Sequence, residues 1–139
     1  MFFRYKNKRN ENLYSIKTMQ KIKSSLIQLE QHYESASRLP VQKYLKEICR
    51  STRFILKELT AQQDNAEKLA MFADYYLPET AAIAEQYLRI KKNHIEGEKS
   101  DQLVTEMEVF FPSAAAAYKQ ICEAGKTVVK RKIKAGNYH

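Results

Sequence analysis

Apolar residues recur at steps of three and four along most of the chain, and this spacing constrains the fold more than any other feature. The first such series is Leu13, Ile16, Met19, Ile22, Leu26, Leu29 and Tyr33. This spacing places the apolar side chains on one face of an α-helix. No segment alternates apolar and polar residues over a useful length, as a half-buried strand would. The pattern therefore predicts an all-α protein.

Breaks in the apolar pattern divide the chain into about four long helices. The first covers about residues 11–35, and the second follows the break at Pro40 and ends near Thr60. The third ends near Glu96, because Gly97 suits the position that follows a helix. The apolar spacing that follows Gly97 predicts a fourth helix. Long helices joined by short loops favour antiparallel neighbours, so we predict an antiparallel bundle.

Proline and glycine modify the predicted helices. Pro78 and Pro112 lie inside the third and fourth helices. A proline inside a helix removes one backbone hydrogen bond and crowds the preceding turn, so we expect kinks near both. Gly125 weakens or ends the packed part of the last helix.

Positive charge concentrates at the two ends of the chain. The 139 residues carry a net charge of +8. Residues 1–23 carry +6 and residues 119–139 carry +5, whereas residues 24–118 carry −3. The predicted parts are a basic N-terminal extension (1–10), a helical bundle domain (11–125) and a basic C-terminal tail (126–139).

The basic ends supply candidates for contact with an anionic surface. Aromatic residues lie among the first cations, and rings between cations suit a lipid headgroup layer. The candidates are Arg4, Lys6, Lys8, Arg9, Lys130, Arg131, Lys132 and Lys134. Alternatively, the same ends meet nucleic acid or an acidic protein, or they are solvated helix ends that bind nothing.

The sequence predicts no membrane-spanning helix. The longest stretch without acidic or basic residues runs from Val109 to Tyr118, and a span needs about 20 apolar residues. No apolar signal-peptide segment follows Met1. Cys49 and Cys122 lack the spacing of a disulfide framework or a metal site. We therefore expect a reduced chain in the cytoplasm, with peripheral attachment to a membrane as an option.

No motif of catalysis or of cofactor binding is present. Phosphate loops, dinucleotide fingerprints, nucleophile elbows and zinc-binding histidine pairs are all absent. The histidines at positions 32, 94 and 139 are scattered, and neither cysteine is followed by the arginine of a cysteine phosphatase loop. We therefore predict no catalytic residue, no cofactor and no metal, and the sequence leans against an enzyme.

An aromatic run in the third helix resembles a motif of a known family. The second helix ends in Ile55-Leu56-Lys57-Glu58-Leu59, and the third contains Phe72-Ala73-Asp74-Tyr75-Tyr76-Leu77-Pro78 and then Glu85-Gln86-Tyr87. This combination resembles the 5-bromo-4-chloroindolyl phosphate hydrolysis (XpaC-like) protein family, over about 60 of the 139 residues. The resemblance implies a helical bacterial protein whose presence promotes hydrolysis of a chromogenic phosphate ester.

The motif residues are interpreted here as packing residues. They are Phe72, Tyr75, Tyr76, Leu77, Pro78 and Tyr87. The helical periodicity predicts that Phe72, Tyr76 and Tyr87 point into the core. None of the matched positions supplies a nucleophile, a metal ligand or an acid–base pair.

Three functions remain open from the sequence. The preferred one is a non-enzymatic interaction or adaptor domain that resembles this family, has an unidentified protein partner, and acts at an anionic membrane surface as an option. The alternative is a hydrolase that acts on phosphomonoesters such as 5-bromo-4-chloroindolyl phosphate, or that promotes their hydrolysis. The second alternative is a nucleic-acid-binding helical protein, which the lack of helix-turn-helix or zinc-finger spacing does not favour. The sequence indicates no oligomeric state.

Overall fold

Helices account for nearly all of the described chain. The computed structural model describes the backbone of residues 2–60 and 66–136, and the side chains of residues 16–60 and 66–126. The α-helices are α1 (Phe2–Ser35), α2 (Gln42–Phe54), α3 (Ala66–Met71), α4 (Leu77–Lys92) and α5 (Glu98–Gly136). No strand occurs in these ranges. The predicted all-α class is confirmed.

Two π-helical turns lengthen the α-helices into longer rods. Ile55–Leu59 extends α2, and Phe72–Tyr76 joins α3 to α4. In the second turn, the Leu77 N–H donates to the carbonyl of Phe72, five residues earlier, where an α-helix would use the residue four earlier. Pro78 is the second residue of α4, which directly follows this turn. The chain therefore stays helical through this proline.

The more specific features of the predicted bundle are not decided by these helix bounds. Pro112 lies inside α5, which is helical on both sides of it. The kinks near Pro78 and Pro112 and the antiparallel bundle stay predictions. The division into residues 1–10, 11–125 and 126–139 also stays a prediction.

The ends of the helices agree with the sequence pattern at some positions and differ at others. α1 ends at Ser35, as predicted, but it begins at Phe2 and not near residue 11, so the predicted start is wrong. The rod that α2 begins ends at Leu59. The predicted end of the third helix near Glu96 is wrong, because α4 ends at Lys92. His94 takes the left-handed conformation, with φ of 49°, and the Ile95 N–H donates to the Ile90 carbonyl at 3.1 Å. This is the closing hydrogen bond of a Schellman motif, so His94 fills the place predicted for a glycine.

The core lies between four helical rods, which are α1, the α2 rod, the rod formed by α3 and α4, and α5. α1 packs against α2 and α4, and α5 packs against α2 and α4. The largest fully buried apolar side chains are Ile22, Leu29, Leu45, Ile48, Ile55, Leu77, Phe72, Tyr87 and Phe111. The rings of Tyr87 and Phe111 meet edge to face, with centroids 5.8 Å apart, which is a favourable aromatic geometry.

Gly125 lies inside a continuous helix and does not end it. The residue is buried, and α5 continues past it to Gly136. A Cβ atom built at this position would lie 2.5 Å from Cδ2 of Leu59. The helix therefore does not end at Gly125, and the weakening or end of its packed part there stays a prediction, because the side chains after Lys126 lie outside the described residues. The missing side chain lets α5 approach the end of the α2 rod closely.

Candidate functional site

The aromatic motif is divided between the core and the surface. Phe72 and Leu77 are buried, but 65% of the Tyr75 surface and 48% of the Tyr76 surface are exposed. The prediction that Tyr76 points inward is wrong. Inner positions in a π turn recur after five residues rather than four, so Leu77 takes the inner position that Tyr76 would have in an α-helix.

The main chain of this π turn is held by a hydroxyl group from α5. The Tyr118 hydroxyl donates to the Tyr76 carbonyl at 3.0 Å, and the Thr80 hydroxyl donates to the same carbonyl at 2.7 Å. The two hydroxyls also lie within hydrogen-bonding distance of each other. The ring of Tyr118 meets Phe72 edge to face at 5.0 Å. Burial raises the pKa of Tyr118 to about 12.

Tyr87 is buried as the periodicity predicts, but its hydroxyl group has no hydrogen-bond partner among the described residues. Burial raises its pKa to about 12, and the charge of Glu108 adds to the rise. A buried hydroxyl without a partner costs free energy. The position therefore serves ring packing and gains nothing from its polar atom.

A polar groove separates α1 from the rod formed by α3 and α4. Lys21 Nζ lies 2.7 Å from Asp74 Oδ1 across the groove, and both side chains are more than one third exposed. Exposed ion pairs contribute little to stability. The groove has a volume of about 600 Å³, and its other lining residues are Ser24, Ser25, Gln28, Ala73, Tyr75, Pro78, Ala82 and Glu85. Tyr75 of the motif therefore borders an open polar surface.

A smaller apolar cleft lies between α5 and the residues that flank the α2–α3 connection. Its volume is about 280 Å³. We call it the α5 cleft, and it is lined by Leu59, Lys68, Leu69, Ala117, Gln120, Ile121, Ala124 and Gly125. The sequence analysis did not predict this cleft, because it depends on the close approach of Gly125 to Leu59.

The thiols and the imidazoles are not arranged for catalysis. Burial raises the pKa of the Cys49 thiol to about 11 and also raises that of Cys122, whose Sγ lies 3.4 Å from the Ser51 carbonyl. A thiol with a raised pKa is a poor nucleophile at neutral pH. Burial lowers the pKa of His32, and the charge of Glu85 opposes that effect. His94 is exposed in the turn after α4.

Over the described residues, no group of three or more His, Cys, Asp or Glu side chains is placed to hold a metal ion. None of the helices there combines the length and the apolar character that a membrane crossing requires.

The predicted anionic-surface candidates belong to the ends of the two longest helices. Arg4, Lys6, Lys8 and Arg9 fall within α1, and Lys130, Arg131, Lys132 and Lys134 fall within α5. Their side chains lie outside the described residues. His139 also lies outside.

The chain matches no protein-family model, no curated protein and no solved structure. The resemblance to the 5-bromo-4-chloroindolyl phosphate hydrolysis family therefore rests on the residues quoted from the second and third predicted helices, and it stays a prediction.

Proposed function

We propose that this chain is a non-enzymatic helical interaction domain that binds an anionic membrane surface with one end of its helical body. The observation that carries the proposal is the relative direction of α1, α2 and α5. That direction supports a location of both basic ends of the sequence at one end of the molecule.

Contacts between α1 and α2 support an antiparallel pairing. The Gln42 side-chain amide donates to the Tyr33 carbonyl at 3.3 Å, close to the turn between the two helices. Further along α2, Arg53 lies 3.0 Å from Glu30, which is earlier in α1. Residue numbers thus rise on one helix as they fall on the other. The N-terminal half of α1 therefore leads toward the end of the body at which the α2 rod ends.

Contacts between α2 and α5 support a parallel pairing. Cys122 lies against Ser51, and Lys126 Nζ lies 5.1 Å from the centre of the Phe54 ring. Residue numbers here rise together on both helices. α5 therefore also leads toward the end of the body at which the α2 rod ends, where Gly125 meets Leu59.

Both basic ends of the sequence consequently leave the body in the same direction. Ile22 is the first buried residue of α1 in the described part, and Gly125 is the last buried residue of α5. From these residues, α1 extends back to Phe2 and α5 extends on to Gly136, which correspond to about 30 Å and about 16 Å of helix. We call the combined residues 1–23 and 119–139 the basic pole.

The charge of the basic pole is suited to an anionic leaflet. Its two parts carry +6 and +5, and the rest of the chain carries −3. Each basic residue near such a leaflet contributes about 1 kcal/mol, so four cations give an affinity of about 1 mM and eight give about 1 μM. Two weak ends that reach the same surface thus bind much more tightly than either alone.

A membrane surface fits the basic pole better than nucleic acid does. Phe2, Phe3 and Tyr5 lie among the cations of the first turns. Aromatic side chains are favoured at the depth of the headgroups, where a ring is partly buried in the lipid. The proposed location is therefore the cytoplasmic face of a membrane, with peripheral attachment.

Vesicle co-sedimentation tests the proposal. We expect binding to anionic but not to neutral vesicles at ~50 mM salt, and loss of most of it at ~300 mM, because the screening length falls from about 14 Å to about 6 Å. Equal binding to the two lipids at low salt would contradict the proposal, as would unchanged binding after deletion of residues 1–10.

Two matched sets of substitutions distinguish the effect of charge in the basic pole from the effect of the net charge of the protein. The combined change Lys130→Gln, Lys132→Gln and Lys134→Gln removes three charges from the pole, and we expect at least tenfold weaker binding. The control Lys46→Gln, Lys92→Gln and Lys99→Gln removes three exposed charges from the body. Equal loss in the two variants would show that net charge alone controls adsorption.

The non-enzymatic part of the proposal has its own assay. We expect purified protein to release no chromophore from 5-bromo-4-chloroindolyl phosphate, with or without divalent metal. A turnover above about 0.01 per second that survives further purification would establish a hydrolase, since ordinary enzymes work at about 1–1000 per second.

A further inference from the structure

We propose that the α5 cleft holds one hydrocarbon chain of an anionic amphiphile, such as an acyl chain drawn from the membrane surface. The inference rests on the proposed function, because the cleft lies at the base of the basic pole. The inference names a class of ligand and a binding site, whereas the charge of the basic pole alone predicts only adsorption to a surface.

The walls of the cleft are suited to hydrocarbon. Leu59, Leu69 and Ile121 supply branched apolar side chains. On the α5 side, Ala117 and Ala124 are small, and they leave the space that larger side chains would fill. A volume of about 280 Å³ lies just below the usual range of small-ligand sites, about 300–1,000 Å³.

The charge at the rim is suited to an anionic headgroup. Lys68 lines the cleft beside the apolar walls. Lys119 and Lys126 are exposed and flank most of the stretch of α5 that lines the cleft, which contains one acidic residue, Glu123. An apolar space with a cationic border is complementary to a molecule with an anionic head and a single apolar tail.

A helix from a partner protein is a poorer occupant. One turn of an α-helix fills about 420 Å³, taking a diameter of 10 Å and a pitch of 5.4 Å. The cleft is smaller than that. The remaining alternatives are residues 61–65 of this chain, which connect two walls of the cleft, and a second copy, and both are outcomes of the test below.

Alkyl phosphates of increasing length test the site directly. Octyl, decyl and dodecyl phosphate are titrated below their micelle concentrations into the full chain, with calorimetry as the readout and inorganic phosphate as the headgroup-only probe. We expect each pair of added methylenes to tighten binding about fifteenfold while the chain still fits the cleft, followed by a plateau. Equal affinity for inorganic phosphate and decyl phosphate would overturn the inference, because the tail would then contribute nothing.

Neighbouring alanines give a matched pair of variants. Ala117 lines the cleft and Ala116 does not, although both are exposed on the same helix. We expect Ala117→Leu to weaken decyl phosphate binding at least tenfold and Ala116→Leu to leave it unchanged. Ala124→Leu fills the cleft from a second position and keeps the test available if Ala117→Leu does not fold. Wild-type affinity in a folded cleft variant would overturn the site, as would cleft occupancy by residues 61–65 or by a second copy.

The outcomes for the cleft and for the basic pole are separable. If Ala117→Leu binds decyl phosphate as the wild type does, the cleft is wrong even when vesicle binding is intact. If wild-type protein does not bind anionic vesicles but binds decyl phosphate, and Ala117→Leu weakens that binding, the cleft site is supported and the proposed membrane function is wrong.

Discussion

The hydroxyl group of Tyr118 donates a hydrogen bond to the main-chain carbonyl of Tyr76, which is 42 residues earlier in the chain. The carbonyl belongs to the π turn between α3 and α4. A second hydroxyl, that of Thr80, donates to the same oxygen. The helical register of the aromatic motif is thus fixed by a side chain from α5 as well as by its own backbone.

Removal of this contact should be measurable. Tyr118→Phe keeps the ring against Phe72 but loses the hydroxyl, so we expect the free energy of unfolding to fall by about 1–2 kcal/mol in urea. The control is Tyr75→Phe, which removes an exposed hydroxyl and should change stability by less than about 0.5 kcal/mol. Equal effects would mean that the carbonyl is satisfied without Tyr118.

Tyr87 should respond in the opposite way. Its hydroxyl is buried without a partner in the described structure, so Tyr87→Phe removes a desolvated polar group and keeps the ring. We expect unchanged stability or a gain of up to about 1 kcal/mol in the same urea experiment. A loss above about 1 kcal/mol would show that this hydroxyl group makes a hydrogen bond in solution.

The π-turn register can be tested with adjacent residues. Leu77→Ala should cost about 2–5 kcal/mol because its side chain is fully buried. Tyr76→Ala should cost less than about 1 kcal/mol because its ring is half exposed. Denaturant unfolding measures the loss of stability in both variants. A larger loss in Tyr76→Ala than in Leu77→Ala would indicate an ordinary α-helix in which Tyr76 is buried.

Alkaline pH should destabilise the fold through its buried tyrosines. The pKa of Tyr87 and that of Tyr118 are each raised to about 12, above about 10 in the unfolded chain. Ionisation of each hydroxyl is therefore opposed in the folded state, so stability is unaffected below about pH 10 and falls as pH rises toward 12, by up to about 3 kcal/mol for each tyrosine. Urea midpoints between pH 8 and 11.5 should fall steeply above pH 10, and Tyr87→Phe should flatten the curve.

The cysteines should react slowly with thiol reagents. Cys49 and Cys122 are both buried, and burial raises the pKa of each thiol. We expect labelling of native protein to be at least a hundredfold slower than in denaturant at the same pH, because both opening and ionisation are needed. Rapid stoichiometric labelling under native conditions would contradict the described packing of α2 against α5.

The sequence predicted the parts of the fold that depend on helical periodicity. The all-α class, the end of α1 at Ser35 and the burial of Phe72 and Tyr87 all follow from apolar spacing. Tyr76 was misassigned because the same spacing assumes four-residue steps. Nothing local in the sequence distinguishes a π turn from an α-helical turn, since the turn makes tertiary contacts with α1 and with Tyr118 of α5 that the local sequence does not contain.

The positions of the glycines predicted helix ends poorly for a related reason. Gly97 suits a helix end, but the helix ends earlier, and His94 takes the left-handed conformation that closes it. Gly125 resembles a break, yet it lies within a continuous helix and is in close contact with the Leu59 side chain. Leu59 and Gly125 are 66 positions apart, so only the tertiary structure reveals the α5 cleft between them. The sequence alone provides the two charged ends of the proposed basic pole, but it does not provide the helix directions on which the proposal depends.

The π turn before Pro78 also has a consequence for how this segment can change in length over evolution. A π turn is an α-helical turn with one residue inserted, so deletion of a single codon within positions 73–76 would restore a regular helix. That helix would have Pro78 in its interior, where a proline costs about 3 kcal/mol. The length of the segment and the identity of residue 78 are therefore coupled, and replacement of the proline should lower the cost of a one-residue deletion.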